Sequence, residues 1–152
     1  MTSLSTPLPA ILCGRRVEVG KPVADLLAPQ FEVIHFCTGT EAALTEIPRL
    51  LQGHKPTSPD ETGVGSQNYN LVPRAVVFGR GYDIAEVEQI RDAAKGCNAD
   101  PVIWVTGDPD RKPGPNDPPP GPGYAQFAAE QVKKKLTEWQ TEGGVKDGVV
   151  LW

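Results

Sequence analysis

The length, composition and charge of the chain limit its fold and its partners. Its 152 residues, 39% hydrophobic and 22% charged, predict one domain over residues 1–152. The net charge of -4 excludes nucleic acid as a partner, because binding to its backbone requires a basic face. No apolar run reaches the about 20 residues of a membrane span, and residues 1–10 lack a signal-peptide pattern. We therefore expect a cytoplasmic location and no membrane partner.

Four apolar runs predict β-strands, and each of them ends at a glycine-bearing loop. The runs are Pro9–Cys13, Phe31–Cys37, Arg74–Phe78 and Pro101–Val105. The loops begin with Gly14, with Thr38-Gly39, with Gly79 and with Thr106-Gly107. A final apolar segment, Gly148–Trp152, predicts either a fifth strand or a contact with a partner.

Helical patterns follow each of the four strands. Pro22 is predicted in the first turn of the first helix, and Thr40 is predicted to cap the second helix. Pro48 is expected to kink or split that second helix. Asp83 and Glu86 have the spacing of a capping box at the start of the third helix. The fourth helix is predicted from helical spacing of Tyr124, Phe127, Ala128, Val132, Leu136 and Trp139.

Strict alternation of strands and helices predicts parallel strands joined by right-handed crossovers. The predicted fold class is α/β, a three-layer sandwich with helices on both faces of a parallel sheet. We expect a flavodoxin-like or Rossmann-like sheet of four to five strands in the order 2-1-3-4. Residues 54–73 form a long loop at the amino ends of the strands. Residues 107–123 form another at the carboxyl end of strand four, where a lid, a binding segment or disorder is expected.

The carboxyl ends of the strands are the predicted ligand site, because ligands of open parallel sheets bind there. Arginines, threonines, backbone amides and helix amino termini at these ends predict a cradle for an anionic metabolite or nucleotide. The predicted ligand-binding residues are Gly14, Arg15, Arg16, Thr38, Thr40, Gly79, Arg80, Gly81, Tyr82 and Thr106. We expect the glycines to let a ligand approach the backbone amides and Tyr82 to flank the anion. The capping carboxylate of Asp83 directs the ligand toward strand one.

Phosphate-binding motifs occur only as partial matches, so no cofactor is predicted. Gly14–Pro22 resembles a nucleotide-hydrolase loop, but it has an extra residue between the glycines and a proline in place of the magnesium-binding Ser or Thr. Gly79-Arg80-Gly81 begins a dinucleotide fingerprint whose third glycine is replaced by Ile84. Thr38–Glu41 resembles the flavodoxin phosphate loop over four residues only.

Three cysteines at wide spacing indicate reduced thiols rather than a disulfide framework. Cys37 is a candidate nucleophile, with His35 on the same strand face and Cys13 on the neighbouring strand. Side chains two residues apart on a strand are separated by about 6.5–7 Å, so His35 is predicted to be too far for direct proton transfer. We expect no strongly depressed pKa for Cys13 or Cys37 and no role for Cys97. Two histidines and no closely spaced cysteine pair predict no metal site.

The segments PAILC, FEVIHF and RAVVFGRGYD, within Pro9–Ala94, resemble the flavodoxin-like substrate domain of D-2-hydroxyacid dehydrogenases. The resemblance covers roughly half of the chain and includes no catalytic motif of that family. The nicotinamide-binding domain is missing, so the resemblance implies a fold but no dehydrogenase activity. The chain also resembles small fungal Rossmann-like or flavodoxin-like proteins, a resemblance that implies no functional residue.

Three functions from different classes are compatible with these patterns. The first is a binding module or small enzyme for an anionic metabolite or nucleotide at the strand ends. The second is a noncatalytic homodimer or adaptor, which would associate through the last helix or Gly148–Trp152. The third is a small cysteine-dependent enzyme, which requires an unusually reactive thiol.

Overall fold

Five β-strands alternate with four α-helices in the described part of the chain. The computed structural model describes residues 7–28, 30–56, 63–79, 82–97, 101–107, 122–143 and 148–152. The strands are β1 (Leu8–Cys13), β2 (Phe31–Cys37), β3 (Ala75–Phe78), β4 (Ile103–Thr106) and β5 (Gly148–Leu151). The helices are α1 (Val17–Leu27), α2 (Thr40–Leu51), α3 (Ile84–Ala93) and α4 (Pro122–Thr141).

The strands form one open, fully parallel sheet in the order β2-β1-β3-β4-β5. The predicted α/β class and the predicted order 2-1-3-4 are therefore confirmed. The segment Gly148–Leu151 is the fifth strand, at the sheet edge beside β4. The order places β1 between β2 and β3, so the switch point of the winding lies at the carboxyl end of β1.

Side chains of the sheet divide between two apolar layers because successive residues of a strand point to opposite faces. One layer packs with α1 and α4, and it includes Leu8, Ala10 and Leu12 of β1. The other packs with α2 and α3, and it includes Ile11 and Cys13 of the same strand. All of β1 is buried, as expected for a parallel strand covered on both faces. Helices on both faces of the sheet are thus confirmed.

Helices α1 and α2 each contain a proline at which the sequence predicts a helix start or a break. α1 begins at Val17 rather than at Pro22, which lies inside it. α2 continues from Thr40 to Leu51 through Pro48, so the predicted split does not occur. Each proline removes one backbone hydrogen bond, but both helices bury a continuous apolar face against the sheet. Tertiary burial outweighs this local cost.

The helix caps are confirmed in one case and corrected in another. Asp83 accepts a hydrogen bond from Glu86 N at 2.7 Å, and Asp83 N donates to Glu86 Oε1 at 3.2 Å. The predicted capping box of α3 is therefore present. Gly39, not Thr40, occupies the cap position of α2. Thr40 is the first helical residue, and its hydroxyl makes contacts at the candidate site instead.

A bulge in β2 coincides with a loop segment that covers the strand's outer edge. Ala10 pairs with Val33 while Ile11 pairs with His35, so Ile34 is an extra residue. Ser66 N donates to Val33 O at 2.8 Å, and the next amide donates to Ile34 O. This part of the long loop lies along β2, whereas the sequence places the whole loop at the amino ends of the strands. Residues 57–62 of that loop lie outside the described residues.

Trp152, directly after β5, is anchored in the protein interior. Its backbone N donates to Thr106 O at 3.0 Å, and its indole Nε1 donates to Phe78 O at 3.2 Å. By contrast, Val149 is 38% exposed and Leu151 is 41% exposed. The segment predicted to contact a partner thus has one buried anchor and two exposed apolar side chains on the edge strand.

Candidate functional site

A cavity of about 690 Å³ lies at the carboxyl ends of β1 and β3, between these strands and helices α1 and α4. Small-molecule sites usually have volumes of about 300–1,000 Å³. Most of the wall is apolar and includes Leu12, Val23, Phe36, Val77, Tyr124, Ala125, Ala128, Val132 and Trp152. Arg15, Arg16 and Glu18 line the same space. The cavity therefore combines an apolar interior with charged side chains.

The Phe36 side of the cavity depends on two glycines in and before α1. A Cβ atom on Gly14 would lie 3.2 Å from Phe36 Cζ, and one on Gly20 would lie 2.3 Å from Phe36 Cε1. Both distances are shorter than ordinary van der Waals contact. The glycines therefore make room for the aromatic ring, which is a role that the sequence pattern did not predict.

The backbone amides of the strand-end glycines are used within the protein. Gly14 N donates to Cys37 O at 3.0 Å, and Gly79 N donates to Cys13 O at 2.9 Å. These bonds extend the parallel ladder by one residue beyond each strand. These two amides are therefore not available as hydrogen-bond donors to a ligand.

Arg15 is held at the edge of the cavity by three neighbours. Its Nη2 donates to Glu86 Oε2 at 2.5 Å and to Thr40 Oγ1 at 3.4 Å. Its guanidinium carbon lies 4.1 Å from the centroid of the Tyr82 ring. Thr40 Oγ1 also donates to Glu86 Oε2. The charge of Arg15 is thus balanced by a carboxylate and does not stand alone in the cavity.

Glu86 holds Arg15 in place in addition to capping α3. The hydrogen bonds from Thr40, from the Asp83 amide and from Arg15 lower the pKa of Glu86 to about 2. The side chain is therefore a carboxylate at neutral pH. The sequence pattern predicted only its capping role. A capping box uses one oxygen of the carboxylate. The second oxygen of Glu86 was therefore the one sign in the sequence that this residue could also bind a cation.

Arg16 differs from Arg15 because its side chain forms no ion pair with the residues that the structure describes. It is exposed and precedes α1, which has no side-chain cap at its amino terminus. The amino end of α1 therefore lies beside the cavity, where the helix dipole favours an anion. The carboxylate of Glu18, in the first turn of α1, repels an anion at the same place.

Part of the predicted cradle lines this cavity, namely Gly14, Arg15, Arg16 and Gly79. Arg80 and Gly81 lie outside the described residues. The same holds for residues 108–121, which form most of the predicted lid. Most described residues of the cradle therefore lie directly after β1. This is the strand toward which we expected the Asp83 carboxylate to direct a ligand.

The other predicted residues that the structure describes do not line the cavity. Thr38 is exposed, while Thr40 is bound to Glu86 and to Arg15. Tyr82 is only 2% exposed, its hydroxyl donates to Cys37 O at 3.4 Å, and its ring lies against the Arg15 guanidinium. Thr106 is buried, and its Oγ1 has no hydrogen-bond partner within the described ranges.

A second cluster, of two thiols and a histidine, is buried at the carboxyl ends of β1 and β2. Cys13 and Cys37 are register partners. Cys13 and His35 both act to lower the pKa of Cys37, and His35 Nδ1 lies 2.8 Å from the Tyr69 hydroxyl. His35 is therefore a neighbour of the thiol pair. That His35 is too far from Cys37 for direct proton transfer stays a prediction.

The two thiols have opposite pKa shifts. Hydrogen bonds from Cys13 and from His35 lower the pKa of Cys37 to about 6, although burial and the Glu46 carboxylate act to raise it. Burial and the neighbouring Cys37 raise the pKa of Cys13 well above its usual value. The prediction of no strongly depressed pKa is therefore wrong for Cys37. The opposite shifts favour a thiolate on Cys37 and a protonated Cys13.

Metal clusters and membrane spans are both absent from the described part of the chain. No group of three or more His, Cys, Asp or Glu side chains within those ranges could hold a metal ion. No helix among the same residues is both long enough and apolar enough to cross a membrane.

Comparison with known proteins identifies a fungal relative. No protein-family model and no solved structure matches the sequence. The sequence is 33% identical to Kojic acid related protein 6 from Aspergillus oryzae (strain ATCC 42149 / RIB 40) over 138 residues, which is 91% of this chain and 81% of that protein. The match agrees with the resemblance to small fungal proteins and provides no link to D-2-hydroxyacid dehydrogenases. The chain belongs to the family of Kojic acid related protein 6.

Proposed function

We propose that this protein binds a small molecule with an apolar body and an anionic group, in the cavity between α1 and α4. The proposal rests on one observation, the presence of Arg16 beside an apolar space of about 690 Å³. Apolar walls favour the body of the molecule through burial, and the arginine favours a carboxylate or phosphate group. Among the anionic metabolites and nucleotides expected from the sequence, amphipathic anions fit best.

The charges around the cavity restrict where the anionic group would lie. Arg15 is balanced by Glu86, and Asp83 caps the amino end of α3. Arg16 and the amino end of α1 then supply the attraction, while Glu18 in the same helix repels an anion. The anionic group would therefore lie on the Arg16 side, with the apolar body directed toward the interior of the cavity.

Three small molecules can test separately whether the cavity binds an apolar body and whether it binds an anionic group. Octanoate has an apolar chain and a carboxylate, octan-1-ol has the chain alone, and inorganic phosphate has the charge alone. We expect calorimetric titration to show the tightest binding for octanoate. Octanoate should also raise the Tm most, because a ligand that binds only the folded state stabilises it. Equal affinity for octanoate and octan-1-ol would contradict the anionic part. Kojic acid, which the relative's name mentions, is a further probe of the same cavity.

Variants at the cavity give the proposal a matched control. Arg16→Ala is expected to weaken octanoate binding roughly tenfold, since hydrogen bonds to charged groups contribute about 1.5 to 3 kcal/mol. Glu18→Gln is expected to strengthen it, and neither change should affect octan-1-ol. Lys95→Ala removes an exposed cation beyond α3 and should leave all three affinities unchanged. If Arg16→Ala and Lys95→Ala bind octanoate alike, the proposed site is wrong.

A second candidate function, a noncatalytic homodimer or adaptor, is favoured by the surface of β5. Among the strands that the structure describes, this one pairs on one side only, with β4, and it exposes Val149 and Leu151. Unpaired edge strands with apolar side chains readily pair with another chain. We propose that two copies associate along β5. Of the two dimer contacts expected from the sequence, the last helix and Gly148–Trp152, we therefore favour the second.

Sedimentation at high micromolar concentration tests this association. The wild-type protein is expected to sediment as a dimer, and Leu151→Lys is expected to shift it to a monomer because charge on an edge strand opposes pairing. Val72→Lys is the control, since Val72 is 44% exposed and lies outside β5. A monomeric wild-type protein at that concentration would refute the dimer. So would equal dissociation of the two lysine variants.

A further inference from the structure

The buried thiols are placed where a disulfide could join two neighbouring strands. Cys13 and Cys37 are register partners, and both lie in the apolar layer that packs with α2 and α3. Neighbouring strands are about 4.7–4.9 Å apart, within the Cα separation of about 4.4–6.8 Å found across disulfides. Each cysteine is the last residue of its strand. The adjustment needed to bring the sulfurs together therefore falls at the strand ends.

Polar side chains lead from this pair toward the less buried part of the protein. Cys13 and His35 are neighbours of Cys37 that favour its thiolate. His35 contacts the Tyr69 hydroxyl through Nδ1 at 2.8 Å. Tyr69 is only partly buried, whereas both cysteines are almost completely buried. These side chains can therefore bring a proton to the pair without exposing either sulfur to solvent.

We propose that Cys13 and Cys37 are a redox-active pair that a hydroperoxide oxidises to a disulfide. The Cys37 thiolate attacks one peroxide oxygen, so an S–O bond forms and the O–O bond breaks, and the leaving oxygen takes a proton delivered through His35. The Cys13 sulfur then attacks the Cys37 sulfur. An S–S bond forms, and the departing hydroxide takes the Cys13 proton. The two thiols lose two electrons, and hydrogen peroxide is reduced to two water molecules.

The surroundings of the pair assign different roles to its members. The pKa of Cys37 is lowered and that of Cys13 is raised, so Cys37 is taken as the attacking sulfur and Cys13 keeps its proton until the second step. Glu46 is the nearby charge that opposes the Cys37 thiolate. Both cysteines are almost completely buried. Only an oxidant close to water in size should therefore reach the pair, and burial should exclude bulky thiol reagents.

Peptide mapping of the full chain tests the proposal without any substitution. The reduced protein is treated with one equivalent of hydrogen peroxide, digested without reductant and examined by mass spectrometry. We expect a linked peptide pair containing Cys13 and Cys37, with the loss of two hydrogen atoms. Cys97, which is partly buried, serves as an internal control and should remain unlinked. Oxidation of Cys97 without a link between Cys13 and Cys37 would overturn the proposal.

Variants test the order of the two steps. In Cys13→Ala, the sulfenic acid on Cys37 should accumulate and react with dimedone that is added as the oxidised protein is unfolded in urea; an unlabelled Cys37 would overturn its role as the attacking sulfur. His35→Gln should slow disulfide formation by about tenfold or more, since proton transfer by a positioned side chain contributes at least that much. An unchanged rate would remove His35 from the mechanism. Cys97→Ala should form the disulfide as fast as the wild type. These outcomes do not depend on octanoate binding.

Discussion

Replacing Trp152 with alanine is expected to lower the free energy of unfolding by about 3 to 5 kcal/mol, the usual cost of truncating a buried aromatic side chain. Trp152 is 5% exposed and packs in the apolar layer between the sheet and helices α1 and α4. The substitution also leaves Phe78 O without the indole donor at 3.2 Å, and an unsatisfied buried acceptor adds to the loss. Urea denaturation followed by circular dichroism measures the change.

Val72→Ala is the control because Val72 is 44% exposed and lies outside β5. Its loss of stability is expected to stay below about 1 kcal/mol, as for most surface substitutions. Similar losses in the two variants would show that Trp152 is not an anchor of the fold.

The fold was predictable because its strands are delimited by local chemistry. Apolar runs such as Phe31–Cys37 stop at glycine-bearing loops, and this pattern requires no knowledge of tertiary contacts. The parallel arrangement followed from the alternation of strands and helices, since each crossover needs a helix. The fifth strand was left open, because Gly148–Leu151 is apolar on both faces and short apolar runs have no diagnostic periodicity.

Helix boundaries were less predictable where tertiary packing overrides local preference. Pro22 and Pro48 are unfavourable inside isolated helices, and the sequence reading placed boundaries at or near them. Both lie inside helices because the buried faces of α1 and α2 extend past each proline. The capping box at Asp83 was predictable for the opposite reason. Its two hydrogen bonds join residues three positions apart and depend little on the rest of the chain.

The candidate site was only partly predictable, because its walls come from distant parts of the chain. Arg15 and Arg16 were expected from the position of their loop at the end of β1. The pairing of Arg15 with Glu86 joins residues that are 71 positions apart and has no local pattern. The depressed pKa of Cys37 was also missed. It depends on the Cys13 thiol of the neighbouring strand and on His35.

Gly65→Ala is expected to lower the free energy of unfolding by about 2 to 4 kcal/mol, because it combines backbone strain with a clash. Gly65 has a φ of +89°, and an added Cβ would lie 2.9 Å from Val33 O and 3.1 Å from His35 N. Both neighbours are backbone atoms of β2, which cannot move without disturbing the bulge. The substitution should therefore separate the loop segment from the strand edge.

Gly63→Ala is the control that has the backbone strain of a positive φ without the steric clash. Gly63 has a similar φ of +72°, but an added Cβ would meet nothing within 4 Å, so a loss of only about 1 kcal/mol is expected. Hydrogen exchange provides a local measurement. The Ser66 amide, bonded to Val33 O at 2.8 Å, should exchange faster in Gly65→Ala and stay protected in Gly63→Ala. If both variants lose the same stability and the same protection, the close packing of Gly65 on β2 does not hold the segment. Tyr69 would then owe its contact with His35 to other parts of the loop.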